Sequence, residues 1–276
     1  MPDLQMGDQA AGLRRLFGTR GPQVVAFASG REACGRTTLI VQTAAALAEA
    51  GHAVVIVDEN PGPDNAIAAF GMTARSDLLQ AVRGERSLRQ VTVSAAPLIR
   101  IVPATRAARE PAAAAPGVRG RLGSCLRELS RGAAYVLVDC AHQRPGHLSP
   151  LALAARHMAI VVAAQGAAIT HAYALIKKLA RERRRTGEFQ IAITRARSEE
   201  EARAIFQNMR RVAAEHLDVR LAYLGAARVP VTDHLADALT TRLPHAQEDG
   251  DEGWCLGPSF PADAIPAGRR PAPMLV

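Results

Sequence analysis

The sequence predicts a doubly wound α/β fold, in which a mostly parallel sheet carries helices on both faces. Short runs rich in Val, Ile and Ala alternate with longer Ala- and Leu-rich segments of helical period, as in successive βαβ units. The chain is 48% apolar but only 4% aromatic, which suits buried parallel strands and Ala-rich helices. We therefore expect one domain over residues 20–243, with about seven strands.

Length and charge limit the classes of function that remain. The 276 residues can bury a sizeable core, and no apolar run approaches the roughly 20 residues of a membrane-spanning helix. The start of the chain lacks a basic region followed by an apolar one, so we expect a cytoplasmic protein. The formal charge of +8 permits attraction to nucleic acid or anionic lipid, but composition alone does not choose between them.

The cysteines predict neither a zinc site nor a disulfide framework. Cys34, Cys125, Cys140 and Cys255 are scattered without C-x-x-C spacing. We expect free thiols. Cys34 lies between two arginines at the start of a helix, where a thiolate would be favoured, but we expect it to be buried and unreactive.

The first strand and the first helix are joined by a loop that has the frame of a phosphate-binding motif. Residues 24–28 form an apolar run, Ser29–Thr38 follow, and a helical segment comes next. The frame fits G-x-x-x-x-G-K-[ST], in which backbone N–H groups and a helix N-terminus hold phosphates and a hydroxyl holds Mg²⁺. Arg36 replaces the lysine, which keeps the charge but not the geometry. The alternative is a strand-to-helix turn that binds no ligand.

The loop resembles the S-G-K-G-G-V-G-K-T-T loop of the MinD/ParA-type ATPases. Against that pattern Arg31 and Arg36 replace both lysines, whereas Glu32 and Ala33 replace two glycines. Glu32 also brings a carboxylate next to a polyanion. The resemblance implies ATP and Mg²⁺ as cofactors, and an Arg31 that reaches the nucleotide across a dimer interface. The loop positions that it implies for ATP binding are Gly30, Gly35, Arg36, Thr37 and Thr38.

Two further strands end in carboxylates. Asp58-Glu59-Asn60 aligns with the D-x-D of the family's switch I, so Asp58 keeps the first carboxylate and Asn60 replaces the one that positions the attacking water. The strand ending at Asp139 has the Walker B shape, but the glycine that follows in the family is not in register.

The resemblance implies Thr37, Asp58 and Asp139 as metal ligands, and Arg31, Asp58 and Asn60 at the catalytic positions. Because an amide cannot take a proton from water, we predict that hydrolysis is weak or absent. The alternative for switch I is a simple Pro/Gly turn at residues 61–63.

Later segments extend the resemblance. Ala168–Leu179 are similar to S-I-T-D-A-Y-A-L-I-K-K-L, with His171 in place of Asp. Thr194-Arg195 stand where the family has N-R, whose Asn contacts adenine, and Pro230 retains the proline beside the purine. The resemblance therefore adds Thr194, Arg195 and Pro230 to the cofactor-binding residues.

The residues ahead of the first strand carry the most specific signal. They match D-Q-A-x-x-L-R, the activator motif of the FlhG/FleN proteins, which are MinD-like ATPases that set flagellar number and placement. The matching positions are Asp8, Gln9, Ala10, Leu13 and Arg14. The resemblance implies that residues 1–19 activate an FlhF-type GTPase of the SRP class. The simpler alternative is a frayed amphipathic helix.

Other segments are read from local patterns. We expect one short helix over Ser76–Leu88, a loop between Ala107 and Gly123, and a long helix over Ser198–Leu217. Residues 244–276 are acidic and then rich in Pro and Gly, which predicts a disordered tail. The tail has no apolar face of helical period, which argues against membrane association through such a helix.

These patterns identify the chain as a member of the FlhG/FleN family, which implies a regulator of flagellar number that acts through an FlhF-type GTPase. It also implies contacts with basal-body components or transcription regulators, nucleotide-dependent homodimers and a peripheral position at the cell pole. Two alternatives stay open: a ParA-like partition ATPase on nonspecific DNA, and a pseudo-ATPase scaffold. The D-Q-A-x-x-L-R segment favours the flagellar class, so we do not expect a nucleic-acid partner.

Overall fold

The computed structural model describes residues 21–109, 116–141, 147–182 and 188–227, together with Trp254. The described residues form one sheet, whose strands are β1 (Gln23–Ser29), β2 (Val54–Asp58), β3 (Val93–Ala96), β4 (Ile99–Pro103), β5 (Tyr135–Asp139), β6 (His157–Ala163), β7 (Glu188–Thr194) and β8 (Arg220–Ala227). Their helices are α1 (Arg36–Glu49), α2 (Ala66–Ala69), α3 (Leu78–Val82), α4 (Leu88–Val91), α5 (Thr105–Arg109), α6 (Pro116–Ser130), α7 (Pro150–Ala154), α8 (Gly166–Glu182) and α9 (Glu199–Leu217).

The sheet order confirms the predicted doubly wound class. The eight strands lie in the order β3-β4-β2-β5-β1-β6-β7-β8, and neighbouring strands are parallel except for the antiparallel pair β3–β4. The sheet therefore has one strand more than the roughly seven expected of such a fold. The additional strand is β3, a four-residue edge strand of Val, Ser and Ala that is too short to show a period of its own.

The core lies on both faces of the sheet, between the strands and the helices. Residues of β1 alternate between the two faces, with Val24 and Ala26 in one apolar cluster and Val25 and Phe27 in the other. Every residue of β1, β2, β5 and β6 is buried. Strands covered on both faces need no polar side, which explains their continuous apolar runs.

The long helix α9 confirms the prediction for Ser198–Leu217. Ser198 is its N-cap, and its Oγ accepts a hydrogen bond of 3.1 Å from the backbone N–H of Glu201. The single helix predicted over Ser76–Leu88 is wrong. Two short helices, α3 and α4, occupy this segment, and Gly84 separates them with φ of 78°. Capping boxes at Asp77 and Ser87 start each helix anew.

The loop predicted between Ala107 and Gly123 is wrong at both ends. Helix α5 continues to Arg109, and α6 already begins at residue 116. Val118, Leu122, Leu126 and Leu129 share one face of α6 and pack on the core. The spacing of Leu122, Leu126 and Leu129 predicts a helix, but the small and basic residues before them obscure its first turns.

The predicted disordered tail is wrong at Trp254. This residue is 3% exposed and forms an antiparallel bridge with Ala155. Its indole Nε1 donates a hydrogen bond of 2.9 Å to Ser130 Oγ. The rest of residues 228–276 and all of residues 1–20, which carry the D-Q-A-x-x-L-R motif, lie outside the described part of the chain. None of the described helices is long and apolar enough to cross a membrane.

Candidate functional site

The candidate site lies where three neighbouring strands end. Strands β2, β5 and β1 are adjacent and parallel, and the register pairs Asp58 with Asp139 and Asp139 with Phe27, two residues before the loop begins. Open parallel sheets bind ligands outside the carboxyl ends of their strands. The sheet thus brings the loop after β1 and two carboxylates together, as the sequence predicted.

The loop backbone is shaped by two glycines that the phosphate-binding frame requires. A Cβ atom on Gly30 would lie 2.3 Å from the backbone carbon of His171, so only glycine allows the loop to pack against α8. Gly35 has φ of 83° and precedes the first residue of α1. Among the described residues no side chain caps the N-terminus of α1, so its first backbone N–H groups remain available to an anion.

The outer half of the loop departs from the family pattern in its side chains, whereas the backbone at Ala33 keeps a conformation that favours glycine. Ala33 has φ of 57°, in the left-handed region that glycine adopts at no steric cost. Arg31 and Glu32 are exposed beside it. The loop therefore keeps the backbone path of a glycine-rich loop at Ala33 while carrying a Cβ there.

Arg36 and Asp139 form a buried ion pair at the centre of the site. Asp139 is fully buried and the side chain of Arg36 is 10% exposed. Arg36 Nε donates to Asp139 Oδ1, and Nη1 donates to Ser29 Oγ at 3.1 Å. Burial favours the neutral guanidine, but the Asp139 carboxylate outweighs this and holds the pKa of Arg36 above its ordinary value. Arg36 thus keeps the charge of the lysine that it replaces, directed at Asp139.

Thr37 and Asn60 continue this hydrogen-bond network. Thr37 Oγ1 donates to Asp139 Oδ2 at 2.6 Å. Asn60 Nδ2 donates to Thr37 Oγ1 at 3.2 Å and to the carbonyl of Asp64 at 3.3 Å. The structure therefore brings Asn60 of the predicted switch I, Thr37 of the loop and Asp139 of the predicted Walker B strand into one group.

Asp58 lies at the edge of this group and is held by backbone. It is 2% exposed. Its Oδ1 accepts from the N–H of Asn60 at 3.0 Å and its Oδ2 from the N–H of Ile67 at 3.3 Å. Burial and the nearby Asp139 carboxylate raise the pKa of Asp58 to about 7, although the backbone hydrogen bonds oppose the shift.

Thr194, Arg195 and Cys34 lie on the other side of the loop. Thr194 is 4% exposed, and its hydroxyl donates to the carbonyl of Cys34 at 2.7 Å, so it ties the loop to the end of β7. A contact between Thr194 and adenine stays a prediction. Arg195 is exposed, with φ of 58°. Cys34 is a free thiol and is buried, which confirms the expected burial, whereas its lack of reactivity stays a prediction. Pro230 lies outside the described residues.

The sequence did not reveal the role of Glu59. This carboxyl group is fully buried and accepts hydrogen bonds from the hydroxyl of Ser149 and from the N–H of Ala141, the latter at 3.1 Å. Burial raises the pKa of Glu59 to about 7, although both hydrogen bonds lower it. Glu59 joins the end of β2 to the segment after β5 and to the start of α7. The sequence feature that could have indicated this role is the position of a charged residue directly after a buried apolar strand.

A polar cavity beside switch I was also not evident from the sequence. It has a volume of about 410 Å³, and Asp58, Asn60, Arg75, Thr105 and Arg106 are among the residues that line it. These residues come from separate segments and meet only in the folded chain.

The site fits phosphate groups better than it fits Mg²⁺. Gly30, Gly35 and the open N-terminus of α1 supply the backbone geometry for phosphates. Thr37, Asp58 and Asp139, the expected metal ligands, do lie close together. However, their oxygen atoms already take part in hydrogen bonds with Arg36, Asn60 and backbone N–H groups. The donor set therefore does not fit a divalent cation.

The loop between β1 and α1, the carboxylates at the neighbouring strand ends and the strand order define a P-loop protein of the MinD/ParA fold. A plasmid partition protein from Borrelia burgdorferi has this fold, with 13% identity, coverage of 81% of this chain and 100% of its own, and a TM-score of 0.59. So does the septum site-determining protein MinD complexed with Mg-ADP from Pyrococcus horikoshii, with 16% identity, coverage of 79% and 86%, and a TM-score of 0.54.

One comparison reaches beyond the fold. The antiactivator FleN of Pseudomonas aeruginosa is 30% identical over 203 residues, which make up 74% of this chain and 72% of FleN. No protein-family model matches the chain. The similarity to FleN shows the family, and the chain belongs to the FlhG/FleN-type MinD-like proteins.

Proposed function

We propose that this protein regulates the number and placement of flagella, holds ATP at its P-loop, and hydrolyses ATP slowly or not at all. The similarity to FleN over 203 residues carries the regulatory part of the proposal. The candidate site at the carboxyl ends of β1, β2 and β5 supports the part of the proposal that concerns ATP. The D-Q-A-x-x-L-R segment favours this function over a partition ATPase on nonspecific DNA.

The loop supports binding of the phosphates of ATP. Gly30 and Gly35 set its backbone, and the first N–H groups of α1 face the position where an anion binds in such loops. Arg36 and Arg31 add positive charge on either side of Cys34. Thr194 is the last residue of β7 and Arg195 follows it, at the place that the family uses for the base.

Weak hydrolysis is expected from the residues of the candidate site. Phosphoryl transfer depends almost entirely on positioning and on electrostatic stabilisation. Asn60 offers an amide where a carboxylate is expected, and Arg36 directs its charge at Asp139. Each lost element of about 3 kcal/mol lowers the rate on the order of a hundredfold. We expect a turnover well below the common range of about 1–10³ s⁻¹.

The partner that we propose is an FlhF-type GTPase, contacted by Asp8, Gln9, Leu13 and Arg14. A short helix with an apolar face can dock in a groove, while its polar residues set the orientation. Because FleN is named an antiactivator, we further propose that the folded domain restrains a transcription activator. Nucleotide-dependent homodimers would bring Arg31 to the second site.

Flagellar counting tests the function directly. Deletion of the gene should change the number or position of flagella seen by electron microscopy, and the wild-type gene should restore both. A deletion strain with flagella of normal number and position would overturn the proposal.

GTPase assays test the partner. Full-length protein should stimulate the cognate FlhF-type GTPase, and Gln9→Ala or Arg14→Ala should weaken the stimulation. Arg15→Ala removes an adjacent arginine outside the motif and serves as the matched control. Equal loss in all three variants would assign the effect to general charge rather than to the motif.

A further inference from the structure

We propose that this site binds its nucleotide without a divalent cation, and that the Arg36 guanidinium takes the place of the metal ion against Asp139. This inference rests on the nucleotide binding proposed above. Mg²⁺ needs several oxygen atoms whose lone pairs can point at it in near-octahedral geometry. The oxygen atoms that the family pattern would supply come from Asp139, Thr37 and Asp58, and each of them is engaged differently here.

The Asp139 carboxylate is already paired with a cation, the Arg36 guanidinium. Its Oδ1 accepts from Arg36 Nε, and its Oδ2 accepts from Thr37 Oγ1 at 2.6 Å. Asp139 is fully buried, and the Arg36 side chain beside it is 10% exposed. The positive charge that balances this buried carboxylate is therefore part of the chain, and a divalent cation at the same carboxylate would be repelled by the guanidinium.

Asn60 presents hydrogen atoms where a metal ion needs lone pairs, and its amide already occupies a lone pair of the Thr37 hydroxyl oxygen. The Thr37 hydroxyl directs its hydrogen at Asp139, and its oxygen accepts from Asn60 Nδ2 at 3.2 Å. The NH₂ group of an amide is a donor and repels a cation. Asn60 Oδ1, the oxygen of the same amide, accepts from the N–H of Gly62 at 3.0 Å.

Asp58 is directed at its own backbone surroundings. Its two oxygen atoms accept from the N–H groups of Asn60 and Ile67, at 3.0 and 3.3 Å. These bonds shape the turn after β2 and the start of α2. A metal ion at Asp58 would have to displace them.

Arg36 has the chemistry to replace the ion for the phosphates too. Guanidinium groups carry five N–H donors in a planar fork and pair well with phosphate oxygens. Among the described residues, the bonds of Arg36 go to Asp139 and Ser29, through Nε and Nη1. The fork therefore has further N–H groups with which to meet an anion at the N-terminus of α1.

Equilibrium titration with a fluorescent ATP analogue tests the inference on the full-length protein. Wild-type protein should bind at least as tightly in excess EDTA as in millimolar Mg²⁺, with dissociation constants that agree within about twofold or favour EDTA. Arg36→Lys shortens and narrows the cation and frees one oxygen atom of Asp139. In this variant Mg²⁺ should tighten binding about tenfold or more.

Arg31→Lys is the matched control, because it restores the other lysine of the family pattern on the exposed side of the loop. Whatever it does to affinity, the ratio of the constants with and without Mg²⁺ should stay that of the wild type. Circular dichroism and thermal unfolding verify that both variants are folded.

Three results would overturn the inference. They are binding by the wild type that Mg²⁺ strengthens about tenfold, no binding of the analogue in either buffer, and a folded Arg36→Lys variant whose binding ignores Mg²⁺. None of these bears on flagellar number, so failure here and failure of the regulatory function are separable. A Mn²⁺ titration followed by electron paramagnetic resonance gives an independent readout, since bound Mn²⁺ should appear with Arg36→Lys and nucleotide but not with the wild type.

Discussion

The two ends of the central strands bury polar groups in opposite ways. At the carboxyl end, Asp58, Glu59 and Asp139 are buried as carboxyl groups, and Arg36 is the cation among them. At the amino end, the buried polar contacts join Gln23 Oε1 to His157 Nε2 at 3.1 Å and Trp254 to Ser130. A hydrogen bond between uncharged groups, as between Trp254 and Ser130, stabilises a fold at little electrostatic cost, whereas buried charges are costly unless they are paired. The carboxyl end of the strands therefore holds the buried carboxyl groups of the candidate site together with Arg36.

Among the substitutions that test this comparison, the removal of Arg36 should lower the free energy of unfolding the most. Arg36→Ala leaves Asp139 buried without its cation, so the free energy of unfolding should fall by about 3–5 kcal/mol. Denaturation in urea measures the change. Arg197→Ala breaks an exposed pair with Glu201 and should leave stability near that of the wild type. If Arg36→Ala and Arg197→Ala lower the free energy of unfolding by similar amounts, the buried ion pair stabilises the fold no more than the exposed one.

Substitutions of Trp254 test the contribution of the amino end of the central strands to stability. Trp254→Ala should lower the free energy of unfolding by about 3 kcal/mol or more, since a large buried side chain is lost from the core. Trp254→Phe keeps most of the apolar contact and loses the hydrogen bond to Ser130, so its loss should be nearer 1 kcal/mol, by the usual net worth of a hydrogen bond of about 1 kcal/mol. Wild-type stability of Trp254→Ala would show that the residue does not support the core.

The raised pKa of Glu59 predicts a pH dependence of stability that arises at the carboxyl end of the strands. Its pKa is raised from 4.5 to about 7, so the folded state binds the proton more tightly than the unfolded state does. Stability should therefore be greatest below the lower pKa, fall as the pH rises towards the higher one, and stay reduced above it. The contribution of this group is on the order of 3 kcal/mol. Asp58, also raised to about 7, adds a fall of the same sign.

Unfolding measured across this pH window in Glu59→Gln checks the sign. The variant should lose part of the slope and gain relative to the wild type at neutral and higher pH. Glu85→Gln removes the same charge from the surface and is the control. A slope unchanged in Glu59→Gln would show that this carboxyl does not titrate as expected.

The substitution Ala33→Gly should change the free energy of unfolding the least. Its φ of 57° is strained for a residue with a Cβ, so Ala33→Gly should raise the free energy of unfolding by about 0.5–1 kcal/mol, after the greater freedom of glycine in the unfolded chain is subtracted. Ala45→Gly, inside α1, should lower it by about 1 kcal/mol. Thermal unfolding compares the two glycines, and a loss in both would contradict the strain at Ala33.

Local sequence patterns were sufficient to predict the fold and the location of the candidate site. Buried parallel strands give continuous apolar runs, and the loop after β1 and the carboxylates after β2 and β5 stand directly at their ends. The grouping of Thr37, Asn60 and Asp139 could thus be predicted. Segments without a clear period were predicted less well: Val118 already belongs to α6, and Gly84 divides a helix that was expected to be continuous.

The sequence by itself determined the doubly wound class, the phosphate-binding frame and the residues at the strand ends, because each depends on neighbours in the chain. Only the tertiary structure decided how those residues pair. Arg36 meets Asp139 across 103 positions, Glu59 meets Ser149 across 90, and Trp254 meets Ser130 across 124. Pairings of this kind depend on which strands lie side by side and on the desolvation of each charge. Local sequence patterns contain neither quantity.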